Sequence, residues 1–184
     1  MKSKIIITGA SGFIGSKLFK NLNKRKIECV GLTRQKIKGL KQVSSYSCFK
    51  NNQDDVLVHL AQNRNAKVKT KLDEVEDFKK LIKKNWRHII YISSTNVYGT
   101  KSTKYHVPTE KVFSSNTYTK TKIACEELTR IENGTVLRFS NLYGNNMDQN
   151  TIVGTIINQL NNNGPIVLNE TKSIRDFLWI DDAI

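Results

Sequence analysis

The sequence has few cysteines, few acidic residues and no long apolar run, and each shortage excludes a class of protein. Its 184 residues include only three cysteines, spaced widely, so neither a disulfide framework nor a cysteine zinc site is expected. The three histidines do not have the spacing of metal ligands, and we predict no metal site. No apolar run approaches the length that spans a bilayer, and a strand pattern begins at once where a signal peptide would stand. We therefore expect a cytoplasmic protein with no membrane partner.

Acidic residues are scarce beside the basic ones. The chain has 30 Lys and Arg against 16 Asp and Glu, a net charge of +14, which is a feature of proteins that bind nucleic acid. Residues 67–84 hold seven of the lysines and four acidic residues, and there apolar residues recur at helical spacing while the charged residues fill the opposite face. These apolar residues are Val68, Leu72, Val75, Phe78 and Ile82. We interpret the segment as a solvated lysine-rich helix and predict no nucleic-acid partner, although the positive field favours anionic ligands.

Three glycines follow the first predicted strand. Residues 4–8 form an apolar run rich in isoleucine, and a helical pattern begins near Ile14. Glycine permits a turn too tight for a Cβ atom, lets backbone N–H groups approach a pyrophosphate, and allows close helix-to-strand packing. A plain turn also collects glycine, but between a buried strand and an amphipathic helix the spacing favours a dinucleotide bound at the helix N-terminus. The predicted cofactor contacts in this loop are Gly9, Ser11, Gly12, Phe13, Ile14 and Gly15.

The residues after the second predicted strand bear on the choice of cofactor. This strand covers residues 29–32 and is followed by Thr33 and Arg34. NAD-binding folds usually place an acidic residue here to bind the ribose 2′-hydroxyl. Thr33 stands in its place, and Arg34 could pair with a 2′-phosphate, although an arginine after a strand is also common on surfaces. The pattern favours NADP over NAD.

Strands and helices alternate along the rest of the chain. Strands are predicted at residues 55–61, 87–94, 135–139 and 166–168, and helices at 67–84, from 118 onward and over 152–160. Residues 39–52 carry little pattern, which indicates an abbreviated unit. Alternation of this kind predicts an α/β fold, a doubly wound parallel sheet or Rossmann fold, with ligands beyond the carboxyl ends of the strands. In the helix that Tyr118 opens, the residues predicted to face the core are Ile123, Leu128 and Ile131.

A serine, a tyrosine and a lysine stand in an order that suits hydride transfer at an alcohol or ketone. Ser94 ends a predicted strand, and Tyr118 and Lys122 are four residues apart, on one face of a helix. Alcohol oxidation needs a base, and a phenol with a reference pKa of about 10 is largely protonated at neutral pH. A nearby ammonium stabilises a phenolate by about 3 to 4 kcal/mol. Each residue alone could be structural, but together they predict Tyr118 as the base, Lys122 as its charged neighbour and Ser94 as the partner of the reacting oxygen.

The ordered motifs resemble those of the extended short-chain dehydrogenase/reductase family, in the NAD-dependent epimerase/dehydratase group that acts on nucleotide sugars. The matching segments are residues 8–15, 59–61, 93–99, 118–122, 137–144 and 175–177. The resemblance implies that Leu60 and Ala61 also contact the cofactor, as do Tyr118 and Lys122. It further implies a set of substrate contacts, the last two of them to the diphosphate: Ser94, Asn96, Asn141 and Arg175.

Departures from the family pattern narrow the expected reaction. The sugar 4,6-dehydratases carry Asp-Glu directly after the active serine or threonine, whereas this chain has Thr95 and Asn96. Neither side chain can act as an acid or base near neutral pH, so we do not expect dehydration. The resemblance then implies an NAD(P)-dependent nucleotide-sugar epimerase or reductase with a role in polysaccharide biosynthesis. A homodimer is one oligomeric state that the resemblance allows, since relatives often pair through the helices around Tyr118.

The predicted domains are an NAD(P)-binding Rossmann domain over residues 1–144, which carries the serine, tyrosine and lysine, and the start of a substrate-binding part over residues 145–184. We expect this second part to be incomplete, because a final helix capped by Asp181 or Asp182 would stop within one turn. The alternative hypothesis is therefore a catalytically incomplete dinucleotide-binding module.

Overall fold

The computed structural model describes residues 3–62, 68–99, 105–114, 116–168 and 174–184, with residues 68–72 described by their backbone alone. The chain forms two compact units, Met1–Arg138 and Phe139–Ile184.

The first unit is built on a six-stranded sheet. The strands run β3-β2-β1-β4-β5-β6 across the sheet, and the pairs from β3 to β5 are parallel. Their bounds are β1 Ile5–Thr8, β2 Cys29–Thr33, β3 Lys41–Gln42, β4 Val56–His59, β5 His88–Ser94 and β6 Thr135–Phe139. This order is that of a Rossmann fold and confirms the predicted doubly wound α/β architecture.

Helices cover both faces of this sheet because neighbouring side chains of a strand point to opposite sides. Ile7 packs with Leu22 and other residues of α1 (Phe13–Lys24), whereas Ile6 lies in the larger core cluster. That cluster also receives α2 (Val68–Ile82) and α3 (Thr117–Ile131). Within the part of the chain that the structure describes, none of the helices combines the length and the hydrophobicity that crossing a bilayer requires.

The lysine-rich helix is confirmed in its described part. Phe78 and Ile82 are almost completely buried, and Val75 packs against the same cluster. Lys67 and the side chains of Val68 and Leu72 lie outside the described residues.

The inward face of α3 differs from the prediction. Ile131 is 73% exposed, so its predicted core position is wrong, while Ile123 and Leu128 are partly buried. The buried face carries mostly polar side chains: Thr119, Thr121, Lys122, Cys125, Glu126 and Thr129. Apolar periodicity failed here because α3 turns its hydrogen-bonding residues toward the sheet.

The unit between β2 and β4 is abbreviated, as predicted. Instead of a helix it contains the two-residue β3 and a 3₁₀ turn over Tyr46–Cys48. Asp77 of α2 holds this turn: it accepts a hydrogen bond from the backbone N–H of Tyr46 at 3.2 Å, and another from the hydroxyl of Ser45.

In its described residues, the second unit contains a two-stranded parallel sheet and two helices. Its elements are β7 Asn141–Tyr143, α4 Ile152–Asn161, β8 Phe177–Trp179 and α5 Ile180–Ala183. The predicted helix over residues 152–160 is confirmed. The predictions missed β7 and β8, which are short and pair across more than 30 residues of sequence.

Two local predictions in the second unit are wrong. Residues 166–168 are not a strand, because the side chain of Gln159 takes both backbone groups of Val167, at 2.7 Å to the N–H and 3.0 Å to the carbonyl. Neither Asp181 nor Asp182 caps the last helix: Trp179 is the N-cap, and both aspartates lie in the first turn.

Candidate functional site

The glycine loop lies at the carboxyl end of β1, and its geometry excludes a side chain at two of its glycines, Gly9 and Gly15. Gly9 has a φ of +68°, and a Cβ atom there would stand 2.9 Å from the backbone N and Cα of Ala61. A Cβ atom on Gly15 would overlap the Gly9 carbonyl oxygen and lie 2.8 Å from the Cα of Ala10. Gly12 is less confined, at 3.3 Å, and its N–H bonds to the Gly9 carbonyl. Gly9 thus makes the turn, Gly15 permits the close packing, and Gly12 leaves the loop open.

The loop leads into the N-terminus of α1, whose first-turn N–H groups have no partner within the helix. Among the described residues, no side chain caps Gly12, and no acidic residue stands in the first turn. Ser11 and Gly12 are exposed, and the Ser11 hydroxyl lies 3.2 Å from that of Thr33. A helix start without a side-chain cap, beside a loop with glycine at positions 9 and 12, fits the pyrophosphate of a dinucleotide.

The end of β4 is fixed against this loop by a buried hydroxyl. The Thr8 oxygen accepts the N–H groups of Leu60 at 3.2 Å and Ala61 at 3.3 Å, and it lies 2.9 Å from Nδ1 of His59. Burial, together with the positive charge of Lys122, lowers the pKa of His59 to about 3. A neutral His59 ring that accepts the Thr8 proton fits all three contacts, so the predicted cofactor residues Leu60 and Ala61 are held beside Gly9.

Arg34, at the end of β2, contacts both an acidic and an aromatic side chain. Its guanidinium donates to a carboxylate oxygen of Glu74 at 3.4 Å and lies 5.6 Å from the ring centre of Tyr46. The Arg34 side chain is still 46% exposed. An arginine that must hold a 2′-phosphate would therefore share its charge with Glu74.

Ser94 ends β5 and begins a 3₁₀ turn over Thr95–Tyr98. Its side-chain oxygen accepts the backbone N–H of Asn96 at 3.2 Å, which fixes the hydroxyl at the carboxyl edge of the sheet. Asn96 itself is exposed.

The start of α3 presents Tyr118 and Lys122. Asn116 and Thr119 form a reciprocal capping box that sets the first turn of the helix. The Lys122 ammonium is buried, donates to the Ile92 carbonyl at 2.6 Å, and lies 5.8 Å from the ring centre of Tyr118. It also lies 4.9 Å from the ring centre of Tyr91. The tyrosine and the lysine therefore share one face of α3, against β5.

The second unit brings together the other two predicted site residues. Both the backbone N–H and the side-chain amide of Asn141 donate to the Asp176 carbonyl, at 3.2 and 3.1 Å. Arg175 precedes Asp176 and is exposed. Parallel pairing of β7 and β8 explains why residues distant in sequence meet within this unit.

The model of the NAD dependent epimerase/dehydratase family matches residues 5–184. The chain belongs to this family. Comparison with curated proteins gives no match.

Solved structures show the same fold as this epimerase/dehydratase family member. UDP-N-acetylglucosamine 4-epimerase from Bacillus cereus superposes with a TM-score of 0.84 at 24% identity, over 99% of this chain and 69% of that one. An NAD-dependent NDP-hexosamine 5,6-dehydratase of tunicamycin biosynthesis gives 0.81 at 22% identity, over 99% and 69%. UDP-glucuronic acid 4-epimerase from Bacillus cereus, solved with UDP-glucuronic acid and NAD, gives 0.78 at 22% identity, over 98% and 70%.

A buried ion pair behind Tyr118 and Lys122 was not predicted from the sequence of this family member. Glu126 is completely buried on α3, and Arg138 of β6 donates to both of its carboxylate oxygens, at 2.7 and 3.0 Å. Burial raises the pKa of Glu126, but hydrogen bonds from Arg138, Ser93 and Arg130 outweigh it and hold the pKa below its usual range. The spacing of Glu126, four residues after Lys122, was the available signal.

Proposed function

We propose that this family member is an NAD(P)-dependent epimerase or reductase that acts on a nucleotide sugar. The observation that carries the proposal is the buried Lys122 ammonium, 5.8 Å from the Tyr118 ring, at the same end of the sheet as the glycine loop. Tyr118 and Lys122 then serve as the base and its charged neighbour.

The residues divide the chemistry between them. When bound, the dinucleotide supplies the hydride acceptor and donor for the sugar carbon. Tyr118 takes the proton of the sugar hydroxyl, and the Lys122 charge favours the phenolate that this step requires. The Ser94 oxygen accepts the Asn96 N–H, which leaves the Ser94 hydroxyl hydrogen to donate to the reacting oxygen.

The proposed cofactor site uses the loop from Gly9 to Gly15 for the pyrophosphate, with Leu60, Ala61, Tyr118 and Lys122 as further contacts. The absence of a capping side chain and of an acidic first-turn residue in α1, among the described residues, supports this part. We propose NADP as the preferred cofactor because Arg34, and not an acid, follows β2. Its pairing with Glu74 makes that preference modest.

The family and the solved neighbours support a nucleotide sugar as the substrate class. Two of the solved structures above are UDP-sugar epimerases. We propose that Asn141 and Arg175 bind the diphosphate of such a molecule, a role that suits a planar guanidinium, and that Asn96 also contacts the substrate. Thr95 and Asn96 offer no acid or base for dehydration, which favours epimerisation or ketone reduction.

The setting of the reaction is proposed on the same basis. Residues 1–144 would form the cofactor domain and 145–184 the start of the substrate part. We propose a cytoplasmic enzyme that prepares sugar nucleotides for polysaccharide biosynthesis, with a homodimer as the oligomeric state to test.

The test is Tyr118→Phe, with Tyr105→Phe as the matched control because Tyr105 is fully exposed. NADH and NADPH binding is measured by fluorescence, and turnover is measured with UDP-glucose, UDP-N-acetylglucosamine and UDP-glucuronic acid. We expect Tyr118→Phe to bind cofactor normally and to lose turnover, and Tyr105→Phe to keep both. Cofactor binding by the unmodified chain without any turnover would favour the dinucleotide-binding module instead.

A further inference from the structure

The buried carboxylate of Glu126 joins two parts of the candidate site. Glu126 lies one helical turn after Lys122 and two turns after Tyr118, on the same face of α3. The Ser93 hydroxyl donates to its Oε1 at 2.5 Å, and Ser93 directly precedes Ser94. The Tyr118–Lys122 helix is thereby bonded to the strand end that carries Ser94.

Arg138 extends this connection to the far end of the Ser94 turn. Its Nε and one terminal nitrogen hold Glu126, and its other terminal nitrogen donates to the Tyr98 hydroxyl at 2.9 Å and the Pro108 carbonyl at 3.1 Å. The guanidinium carbon lies 4.8 Å from the ring centre of Tyr98. The turn from Ser94 to Tyr98 is therefore held at both ends, by Ser93 and by Tyr98.

A gain in stability is a weak explanation for the buried Glu126–Arg138 pair. Two charges lose their hydration on burial, and well-packed apolar residues of similar size are often as stable or more so. What a fully bonded carboxylate and guanidinium provide is one fixed geometry, because each hydrogen bond restricts both partners. Catalysis by oriented groups depends on such geometry, and a displacement of about 1 Å can reduce a rate a hundredfold.

We propose that Glu126 and Arg138 are positioning residues, which hold the Ser94 turn against the face of α3 that carries Tyr118 and Lys122. This inference rests on the proposed function, since it assigns the pair to the reaction of that same site. Ser93 transmits the effect on one side of the turn, and Tyr98 does so on the other.

The test removes one hydrogen bond to Glu126 at a time. Ser93→Ala removes the bond on the Ser94 side. Arg130→Gln is the matched control, because Arg130 donates to the same carboxylate at 2.9 Å but is half-exposed and, among the described contacts, bonds nothing in the Ser94 turn. Ser93→Thr retains a hydroxyl and serves as the rescue variant.

Two readouts separate positioning from general stability. The first is kcat against KM for the cofactor and the nucleotide sugar, with the panel named above. The second is hydrogen exchange of the Asn96 and Gly99 amides in the protein without cofactor, since both bond within the turn. We expect Ser93→Ala to lower kcat about tenfold with little change in KM for cofactor, and to speed exchange at both amides. Arg130→Gln should leave both readouts unchanged, and Ser93→Thr should restore them.

The outcomes distinguish the two proposals. If the unmodified protein turns over no nucleotide sugar, the proposed function is wrong, and the catalytic role of the pair is wrong with it. If the protein is active but Ser93→Ala and Arg130→Gln have equal effects on kcat and exchange, the positioning role alone is overturned. Glu126→Gln, which keeps the shape and removes the charge, should reproduce the Ser93→Ala result if the pair positions the turn.

Discussion

In the first unit, the backbone shapes the glycine loop, whereas side chains shape the region around Lys122 of α3. Around Gly9 and Gly15 the backbone itself makes the shape, and a single added carbon would overlap it. Around Lys122 the shape depends on side chains, with Glu126 and Arg138 bonded across three elements. The first region has no room for a Cβ atom at Gly9 or Gly15, whereas the second depends on hydrogen bonds between specific side chains. Substitutions should therefore fail for different reasons in the two regions.

The largest expected effect is on stability, and it tests the buried Glu126–Arg138 pair. Arg138→Ala leaves the buried Glu126 carboxylate without its main partner, and we expect the free energy of unfolding to fall by about 3 to 5 kcal/mol. Lys79→Ala is the control, because its ion pair with Glu76 is exposed on both sides and worth at most about 1 kcal/mol. Denaturant unfolding followed by circular dichroism measures both. Equal losses would show that the buried network is no more important than a surface pair.

The next largest effect tests the glycine loop. Gly9→Ala and Gly39→Ala both place a side chain at positive φ, at +68° and +83°, and both should cost about 1 to 2 kcal/mol for that reason. Only the Cβ atom at position 9 meets other atoms, because nothing lies within 4 Å of the one at position 39. We expect NADH binding to be lost in Gly9→Ala and kept in Gly39→Ala. Retention of binding by both would contradict the assignment of the loop.

The glycine-loop region does depend on one side chain, His59. The lowered pKa of this residue predicts that the stability of the protein varies with pH. The unfolded chain binds a proton at His59 near pH 6.5, whereas the folded protein resists it until about pH 3, so stability falls as the pH decreases between these values. From pH 7 to pH 5 this amounts to about 2 kcal/mol. His59→Asn, which keeps an acceptor for Thr8, should show a loss smaller by that amount. Parallel pH profiles of unfolding would refute the prediction.

The smallest effect concerns the choice of cofactor at the end of β2. Glu74→Gln removes the charge that competes for Arg34, and we expect the Kd for NADPH to fall by up to about fivefold, with little change for NADH. Glu76→Gln, on the same helix beside Lys79, is the control. Fluorescence titration with both cofactors measures the difference. An equal change in Kd for NADH and NADPH would show that Arg34 does not contact the 2′-phosphate.

The same contrast explains which predictions succeeded. The strand, glycine loop and helix from Ile5 to Lys24 were predictable because their signals are local: β-branched residues, glycine spacing and a 3.6-residue period. The helix α3 was predictable as a helix but not in its inward face, since Ile131 is exposed while Glu126 is buried. A buried charge contradicts apolar periodicity and is stable only with partners that lie elsewhere in the chain. The short pair β7 and β8 was missed for a related reason: three-residue strands carry no period, and their register is set by distant residues.

The sequence by itself determined the Rossmann fold and the glycine loop, and it placed Tyr118 and Lys122 four residues apart on one helix. Each of these follows from neighbours along the chain. Only the tertiary structure decided that Lys122 bonds to Ile92 and Arg34 to Glu74, separated by 30 and 40 residues. It also decided that Glu126 and Arg138 enclose the Ser94 turn. Such pairs form because folding removes water from charged groups and leaves each one to find a partner within reach, and that reach exists only once the sheet and its helices have packed.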